Sequence, residues 1–527
     1  MIESSVITDV GTIFEVQNTE FSGLSKRPTW KMYVRNECKK LWEMLNGLVK
    51  NDLLFVTGSP GIGKSTLVYS YCSYKATLPE GKMNILWIHK DITQVFAFHF
   101  NSGNYYTFRE KDIEMQLSNL IDRMNVDLIV LDGFTTSFKE AFGGIITKKN
   151  TIIVCCTSFA SDSSLNTSET ESLKEMHGRN LMKRFTMDSW RFEEYVGAEK
   201  LDIFPEGFDL RAHFAVGGTS IRLLMQDIDE VIITLDKSIE KLNNVELVFN
   251  GLSGVAGTDS VNTLMQCRKV NGKVVTAPLS RYVMGRLAQK CGDAFFEIAK
   301  KIMVDNGSFQ GWVFEYEVIH LIKNGRIKIS GDLSNEWCIG DKAHYEEYDN
   351  TAEIMETTLL DNTWLLPKRY TQGCIDMCYY KRRNCVYLVQ ITVAESHKYD
   401  LTLVLPLVKG CIGSNNSGNT SGEVSDANQV HFVVIIPDGN TEKFRINSDH
   451  FVGMNHIGKF DKRWNTNDVF SFCKLICLEA DKLVVLTQPS EISTLSSSFE
   501  NVSVAENTRF KKRKIVTEFN EKCNPSL

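Results

Sequence analysis

Gly58-Ser59-Pro60-Gly61-Ile62-Gly63-Lys64-Ser65 lies between an apolar run, Leu53–Val56, and a segment of helical spacing that opens near Lys64. No other stretch limits the fold as tightly. The spacing is GxxxxGK[ST], in which glycines let backbone N–H groups turn inward around phosphate oxygens. A lysine then supplies a cation to the β- and γ-phosphates, and the next hydroxyl ligates magnesium. The dipole of the helix that follows adds to the pull on the anion. Gly58, Ser59, Pro60, Gly61, Ile62, Gly63, Lys64, Ser65 and Thr66 are therefore the expected nucleotide cradle. Lys64 is the expected catalytic cation and Ser65 a metal ligand. The expected cofactors are ATP and Mg²⁺, with the choice between ATP and GTP left open.

Such a loop needs an α/β layer fold, and the surrounding pattern supplies one. Strand-like runs at Leu53–Thr57, Ile85–His89, Leu128–Leu131 and Thr151–Thr157 alternate with helical patterns at Ser65–Ala76, Glu110–Met124 and Phe138–Lys148. After Ser158 the pattern turns helical, through Glu169–Met187 and Ser220–Asp229. Leu128-Ile129-Val130-Leu131-Asp132 is an apolar strand ending in an acid, so Asp132 is expected to hold magnesium through Ser65 and water. Gly133 stands where many ATPases of this type carry a water-activating glutamate. The strand Ile152–Cys156 ends in Thr157; in ATPases with an extra strand between the two motifs, a polar residue there points at the γ-phosphate. A turn cap explains Thr157 equally well. Gly217-Gly218-Thr219-Ser220-Ile221-Arg222 puts Arg222 on the first turn of a helix. From there it either reaches nucleotide from a lid, as in AAA-like and STAND-like ATPases, or sits as a surface arginine.

At 527 residues the chain is too long for one core. Five zones are expected: a helical lead-in over 1–50, with a helix at Tyr33–Leu48; a P-loop NTPase with helical lid over 51–245; a linker over 246–304; an α/β domain over 305–485; and a tail over 486–527. The α/β domain is expected to open on one helix, Ala294–Lys323, and to carry strands near Gly373–Tyr380, Cys385–Val393 and Val430–Ile436. Lys409–Gln429, dense in Gly, Ser and Asn, reads as a loop between two of those strands. A net charge of −6 argues against coating nucleic acid with the whole surface. No apolar run reaches the roughly 18 residues of a membrane span, and Met1–Thr8 lacks a signal-peptide pattern, so no membrane partner is expected. The 14 cysteines are scattered and read as reduced, buried thiols of an intracellular protein.

Tyr33-Val34-Arg35, the GSPGIGKS loop, the LIVLDG strand, Trp190-Arg191-Phe192 with Tyr195, and GGTSIR together resemble the Crinkler and retrotransposon-hot-spot (RHS) family. The resemblance covers about residues 30–230 and, less specifically, 305–440. It implies an ASCE-type P-loop ATPase of AAA or STAND character, followed by a restriction-endonuclease-like domain. The N-terminal ubiquitin-like header and LFLAK-type motif of secreted Crinklers are missing from this sequence.

Restriction-like nucleases need a carboxylate on a hairpin strand and a (D/E)xK pair on the next, which together hold a metal that activates water. Asp376 is the candidate carboxylate and metal ligand. Gln390 and Thr392, two apart on one strand face, occupy the place of the pair, as in a Gln-x-Thr variant of RHS proteins. Glu315, with Glu317 behind it, is the helix-borne second acid, and His397 follows downstream. Gln brings no charge to a metal and Thr cannot replace a cationic Lys, so a folded but inactive domain fits the same residues. Cys374, Cys378 and Cys385 offer a weaker zinc reading. Arg509-Phe510-Lys511-Lys512-Arg513-Lys514 reads as a nuclear import signal, a nucleic-acid contact or a solvated charge run. The expected function is thus a nucleotide-dependent, nuclease-like protein acting on or binding DNA or chromatin in a nucleus. The rival is a catalytically silent, nucleotide-switched chromatin or transcription interaction protein. A homo-oligomer is left open, and a P-loop kinase is disfavoured because no arginine-rich lid follows the loop.

Overall fold

In the computed structural model the chain divides into two compact units, Met1–His320 with Arg369–Thr371, and Leu321–Lys368 with Gln372–Leu527. The structure describes residues 9–17, 19–24, 26–79, 82–90, 94–108, 113–133, 145, 150–158, 181–242, 259–270, 273–302, 307–326, 338–348, 359–367, 375–381, 385–394, 399–400, 402, 407, 429–437, 451–452, 473–479 and 482–486.

The first unit opens on an antiparallel pair, β1 (Ile13–Gln17) and β2 (Thr29–Tyr33), ahead of helix α1 (Asn36–Asn46). Residues 1–50 are thus more than a helical lead-in. Phe14 and Val16 alternate inward while Glu15 and Gln17 face solvent, the period of a half-buried strand. Next come β3 (Asp52–Thr57), α2 (Lys64–Thr77), β4 (Ile85–Lys90), β5 (Val95–His99), β6 (Asn104–Phe108), α3 (Ile113–Met124), β7 (Leu128–Asp132), β8 (Ile152–Cys156) and β9 (Leu181–Thr186). Across the sheet they run β6-β5-β4-β7-β8-β3-β9, and every pair from β4 to β9 is parallel.

A parallel sheet is covered on both faces, which is why its strands read as unbroken apolar runs. Leu54, Val56, Trp87, Val130 and Val154 join one core with Leu67 and Tyr71 of α2. Their neighbours Leu53, Phe55, Ile88, Ile129 and Ile153 join a second core with Leu117 and Ile121 of α3.

Local pattern and structure part company in three places. The pattern predicts a helix over Glu169–Met187, but its described end, Leu181–Thr186, is strand β9. Leu, Met, Lys and Arg favour helix locally, and pairing along β3 overrides that weak preference. After β9 come helices α4 (Phe192–Glu199), α5 (Leu210–Gly217), α6 (Ile221–Leu224) and α7 (Ile228–Glu240). The stretch 246–304, expected as a linker, is built structure over its described part. It holds α8 (Asp259–Leu264), the hairpin β10 (Met265–Val270) and β11 (Lys273–Pro278), α9 (Arg281–Cys291) and α10 (Asp293–Ile302). Val283, Met284 and Leu287 of α9 are buried at helical spacing, so it belongs to a core. Finally, the described part of the single helix expected over Ala294–Lys323 is two helices, α10 and α11 (Gly307–Lys323), on either side of residues 303–306.

The second unit carries β12 (His344–Tyr348), β13 (Thr363–Pro367), β14 (Met377–Lys381), β15 (Cys385–Ile391), β16 (Tyr399–Asp400), β17 (Gln429–Pro437), β18 (Phe451–Val452), β19 (Cys473–Glu479) and β20 (Lys482–Leu486). Its main sheet runs β12-β13-β14-β15-β17-β19-β20. β13, β14 and β15 form an antiparallel meander, and β17 then lies parallel to β15. Nearly all of the expected helix Phe138–Lys148 and of the Lys409–Gln429 loop lies outside the described residues, as do the tail beyond 486, the basic cluster 509–514, Cys374 and His397. No described helix is long and apolar enough to cross a membrane.

Trp87 is wholly buried in β4, set edge-on to Tyr69 at 5.1 Å, and donates its indole N–H to the Ser22 carbonyl at 2.8 Å. Trp87→Ala is expected to destabilise the first unit by about 3–5 kcal/mol. Urea unfolding of the two proteins checks this; a loss below about 1 kcal/mol would place β4 outside the core.

Candidate functional site

Parallel strands end on one edge of their sheet, and open α/β sheets bind ligands outside those carboxyl ends. Here that edge carries the 58–65 loop after β3, Asp132 at the end of β7, Thr157 after β8 and His89 near the end of β4. β8 lies between β3 and β7, so Thr157 falls between the loop strand and the acid-bearing strand. The backbone N–H of Thr157 donates to the Val56 carbonyl at 3.0 Å.

The loop conformation depends on its glycines. Gly58 has φ +145°, and a Cβ there would meet the Met187 carbonyl oxygen at 2.7 Å. Gly61 has φ +76°, and a Cβ would strike Ser220 and come within 2.9 Å of the Arg222 Cβ. Only glycine fits a left-handed position packed this closely. Lys64 turns back into the loop, donating to the carbonyls of Gly58 at 2.8 Å and Ser59 at 2.7 Å. The sequence suggests a partly exposed lysine, whereas this one is buried at 8% exposure. Burial pushes its ammonium down to about 8; the Asp132 carboxylate opposes that shift and the nearby Arg222 guanidinium adds to it.

Ser65 Oγ donates to Asp132 Oδ1 at 2.5 Å. Among the described residues no three His, Cys, Asp or Glu gather around one point. Mg²⁺ is often held by only one or two protein oxygens plus phosphates, so the Ser65 and Asp132 pair fits that ion. The other Asp132 oxygen, Oδ2, lies 2.6 Å from Nδ1 of His89, its register partner on the adjacent strand. Sequence reading passed over His89, although it closes the Ile85–His89 run on which β4 was expected.

Three clasps tie other segments to the loop, and the loop's own motif spacing signals neither of the first two. The Cys267 N–H on β10 donates to Ser59 Oγ at 2.8 Å. Trp190 Nε1 donates to the Ile62 carbonyl at 3.0 Å. The Arg222 N–H reaches the Gly61 carbonyl at 3.4 Å, so GGTSIR does bring Arg222 to the loop. Beside the loop is a cavity of about 140 Å³ lined by Tyr33, Arg35, Ile62, Trp190, Phe204 and Ile221, among others. An engineered apolar cavity of roughly 150 Å³ admits benzene, so one aromatic ring fits here. Arg35 is buried and lies over the Trp190 ring at 4.6 Å. It pairs with Glu194 at 3.0 Å, while its Nε and Nη1 have no hydrogen-bond partner.

In the second unit the Asp376 N–H donates to the Val389 carbonyl at 2.8 Å. Asp376 Oδ2 accepts from the Gln390 side-chain amide at 2.5 Å and from the Ile391 N–H at 2.6 Å. Asp376, Gln390 and Thr392 are all buried. The structure therefore brings Asp376 and Gln390 together, while the Thr392 hydroxyl accepts from the Ala394 N–H at 3.1 Å. Glu315 lies in the first unit, where its carboxylate takes the Arg281 guanidinium; Glu317 pairs with Lys300 at 2.5 Å. The strand register sets Cys378 opposite Leu388 and Cys385 opposite Lys381, three rungs apart and too spread for one zinc ion.

No protein-family model matches this chain, and no curated protein does. Among solved structures, AMPPCP-bound DnaA from Aquifex aeolicus is similar over 54% of this chain and 84% of its own, at 12% identity and a TM-score of 0.23. A likeness of that size bears no weight on function.

Lys64 at about 8 predicts a proton linkage. Phosphate oxygens favour the ammonium, so nucleotide binding draws a proton onto Lys64 above that value. Affinity should fall by up to about tenfold per pH unit as pH rises past 8. The sign for the free protein is opposite: its Lys64 pKa lies below the unfolded 10.5, so this group's contribution is most favourable above 10.5 and is lost as pH falls through 8. Calorimetry near pH 8.5 in two buffers of different ionisation enthalpy should show proton uptake on nucleotide binding. Lys64→Arg, charged throughout this range, should abolish the uptake.

Proposed function

We propose that the first unit binds and hydrolyses ATP with magnesium, and that nucleotide controls a restriction-endonuclease-like second unit that acts on or binds DNA in a nucleus, in the manner of Crinkler and RHS proteins. One observation carries the nucleotide reading: the glycine loop, Ser65, Asp132 and Thr157 converge on one edge of a parallel sheet, with β8 between β3 and β7. That strand order supports an ASCE-type ATPase, in which Thr157 faces the γ-phosphate and Arg222 reaches it from the lid. Lys64 would leave its loop carbonyls for the β- and γ-phosphates. Bound magnesium would neutralise charge on the same phosphates.

The cavity beside the loop is where the base would lie, against Tyr33 and Trp190. Guanine is read through its N1–H and exocyclic amine, which ask for an acceptor, and no carboxylate lines the cavity among the described residues. Calorimetry with ATP and with GTP decides the base preference.

For the second unit, a specific observation favours the silent reading over the nuclease. Asp376 spends an oxygen on the Gln390 amide and the Ile391 N–H, a clasp between two strands rather than an open ligand set. The order of acid, meander and parallel strand still suits a restriction-like ancestry, so DNA binding without cutting is the form we adopt.

Lys64→Ala should weaken ATP binding about 10- to 100-fold, the range for losing hydrogen bonds to a charged group. Asp132→Ala should cost magnesium dependence more than bare nucleotide affinity. Calorimetry with ATP, with and without Mg²⁺, measures both, and a wild type without millimolar affinity sinks the nucleotide reading. Wild type should leave single- and double-stranded DNA intact with Mg²⁺ or Mn²⁺, with or without ATP. Asp376→Ala, which leaves buried donors unsatisfied, should cost the second unit about 1–3 kcal/mol. Metal-dependent cleavage by wild type that Asp376→Ala removes would restore the nuclease.

A further inference from the structure

ATPases of this kind commonly place a glutamate directly after the strand aspartate, where it holds the attacking water. This chain has Gly133 there, and the backbone explains why. Gly133 has φ +80°, and a Cβ would lie 2.8 Å from the Lys90 carbonyl oxygen. Both the conformation and the close carbonyl exclude a glutamate at 133. The group that could replace it has to come from a neighbouring strand.

His89 is that group by position. It stands opposite Asp132 in the parallel register of β4 and β7, with Nδ1 2.6 Å from Asp132 Oδ2. Since Ser65 already occupies Oδ1, one carboxylate holds both the hydroxyl expected at the metal and the imidazole. A carboxylate can only accept, so Nδ1 carries a proton toward Asp132, and in the neutral ring Nε2 is the nitrogen with the lone pair. Among the described residues no group pairs with Nε2. Gly23 packs so closely on Cδ2 that a Cβ there would clash, and Phe96 lies nearly parallel at 6.4 Å. The side chain keeps 13% exposure, enough for water to reach it.

We propose that His89 orients the water that attacks the γ-phosphate, in the role that Gly133 cannot fill; this rests on the hydrolysis reading above. Nε2 accepts a hydrogen bond from the water and aims its oxygen lone pair, while Asp132 fixes the ring through Nδ1–H, the same division of labour as in an Asp–His pair of a hydrolase. The water oxygen bonds to Pγ as the bond from Pγ to the bridging oxygen breaks, and that electron pair leaves with ADP. One water proton passes to a phosphate oxygen, so the products are ADP and dihydrogen phosphate.

Three substitutions in the full-length protein test the role. In His89→Asn the side-chain amide stands where Nδ1 does and can still hold Asp132, but it does not reach the water. In His89→Gln the amide oxygen stands where Nε2 does and can accept from water. His89→Ala should lower kcat about 100-fold while KM and ADP affinity stay as in wild type. His89→Asn should be as slow as His89→Ala, and His89→Gln should recover much of the rate. A readout independent of turnover is the affinity for ADP with aluminium fluoride, which mimics the transition state. It should fall in Ala and Asn and hold in Gln. Wild-type turnover in His89→Ala or His89→Asn would overturn the proposal, as would parallel loss of ADP affinity and rate in His89→Ala. If wild type binds ATP but never hydrolyses it, the hydrolysis reading itself fails and takes this proposal with it.

Discussion

β3 is paired on both sides by parallel strands, and the first unit depends on that pairing. An interior parallel strand has every backbone group bonded and both faces covered, so it is held rigidly along its length. The loop that leaves its carboxyl end therefore starts from a fixed point and a fixed direction. β8 and β9 bring Thr157 and Met187 to the same end, and the Met187 N–H closes on the Thr57 carbonyl at 2.9 Å. The Met187 carbonyl in turn lies too close to residue 58 for any side chain. The geometry of the loop follows from the sheet, with the glycine sequence permitting what the pairing demands.

The clasps on Ser59, Gly61 and Ile62 come from three segments distant in sequence: β10, the Ser220–Arg222 turn and the stretch before α4. Each bond ends on the loop backbone or on a loop hydroxyl. A ligand that shifts the loop by a fraction of an ångström must therefore strain or release all three together. Close-packed interiors transmit such small displacements instead of absorbing them. Arg35 extends the linkage toward the N-terminal hairpin, because its guanidinium spans the carbonyls of Asp188 and Ser189, Glu194 and the Trp190 ring. Two of its nitrogens remain without partners in a buried place, a cost that an acceptor from a ligand would offset.

The chain's own order made much of this legible. β3, β4, β7 and β8 stand within a residue or two of their expected bounds, because fully buried strands are apolar at every position. Ser65 and Asp132 lie within hydrogen-bond distance, and the Arg222 backbone N–H lies against the Gly61 carbonyl. β9 was hidden because Leu-Met-Lys-Arg-Phe-Thr alternates weakly at a sheet edge and its residues favour helix in isolation. The β5–β6 hairpin and the hairpin of β10 and β11 were missed since short antiparallel pairs lack the long periodicity that betrays helices. His89 was visible as the polar end of an apolar run. Only the register, which pairs it with Asp132, gives that position meaning.

Asp376 illustrates how far chemistry and fold can diverge. A carboxylate that is to hold a metal has to keep its oxygens directed outward and negative. Here one oxygen is bound by two N–H donors, and the nearer donor belongs to the residue that a metal site would supply as a second acid. A glutamate at 390 would face Asp376 as a like charge in a buried place, which a cation between them or a shared proton would relieve. A glutamine removes the repulsion and turns the pair into a hydrogen bond. The strand pair is thereby held without an ion. In this unit the Asp376 and Gln390 pair thus acts as a clasp of the sheet.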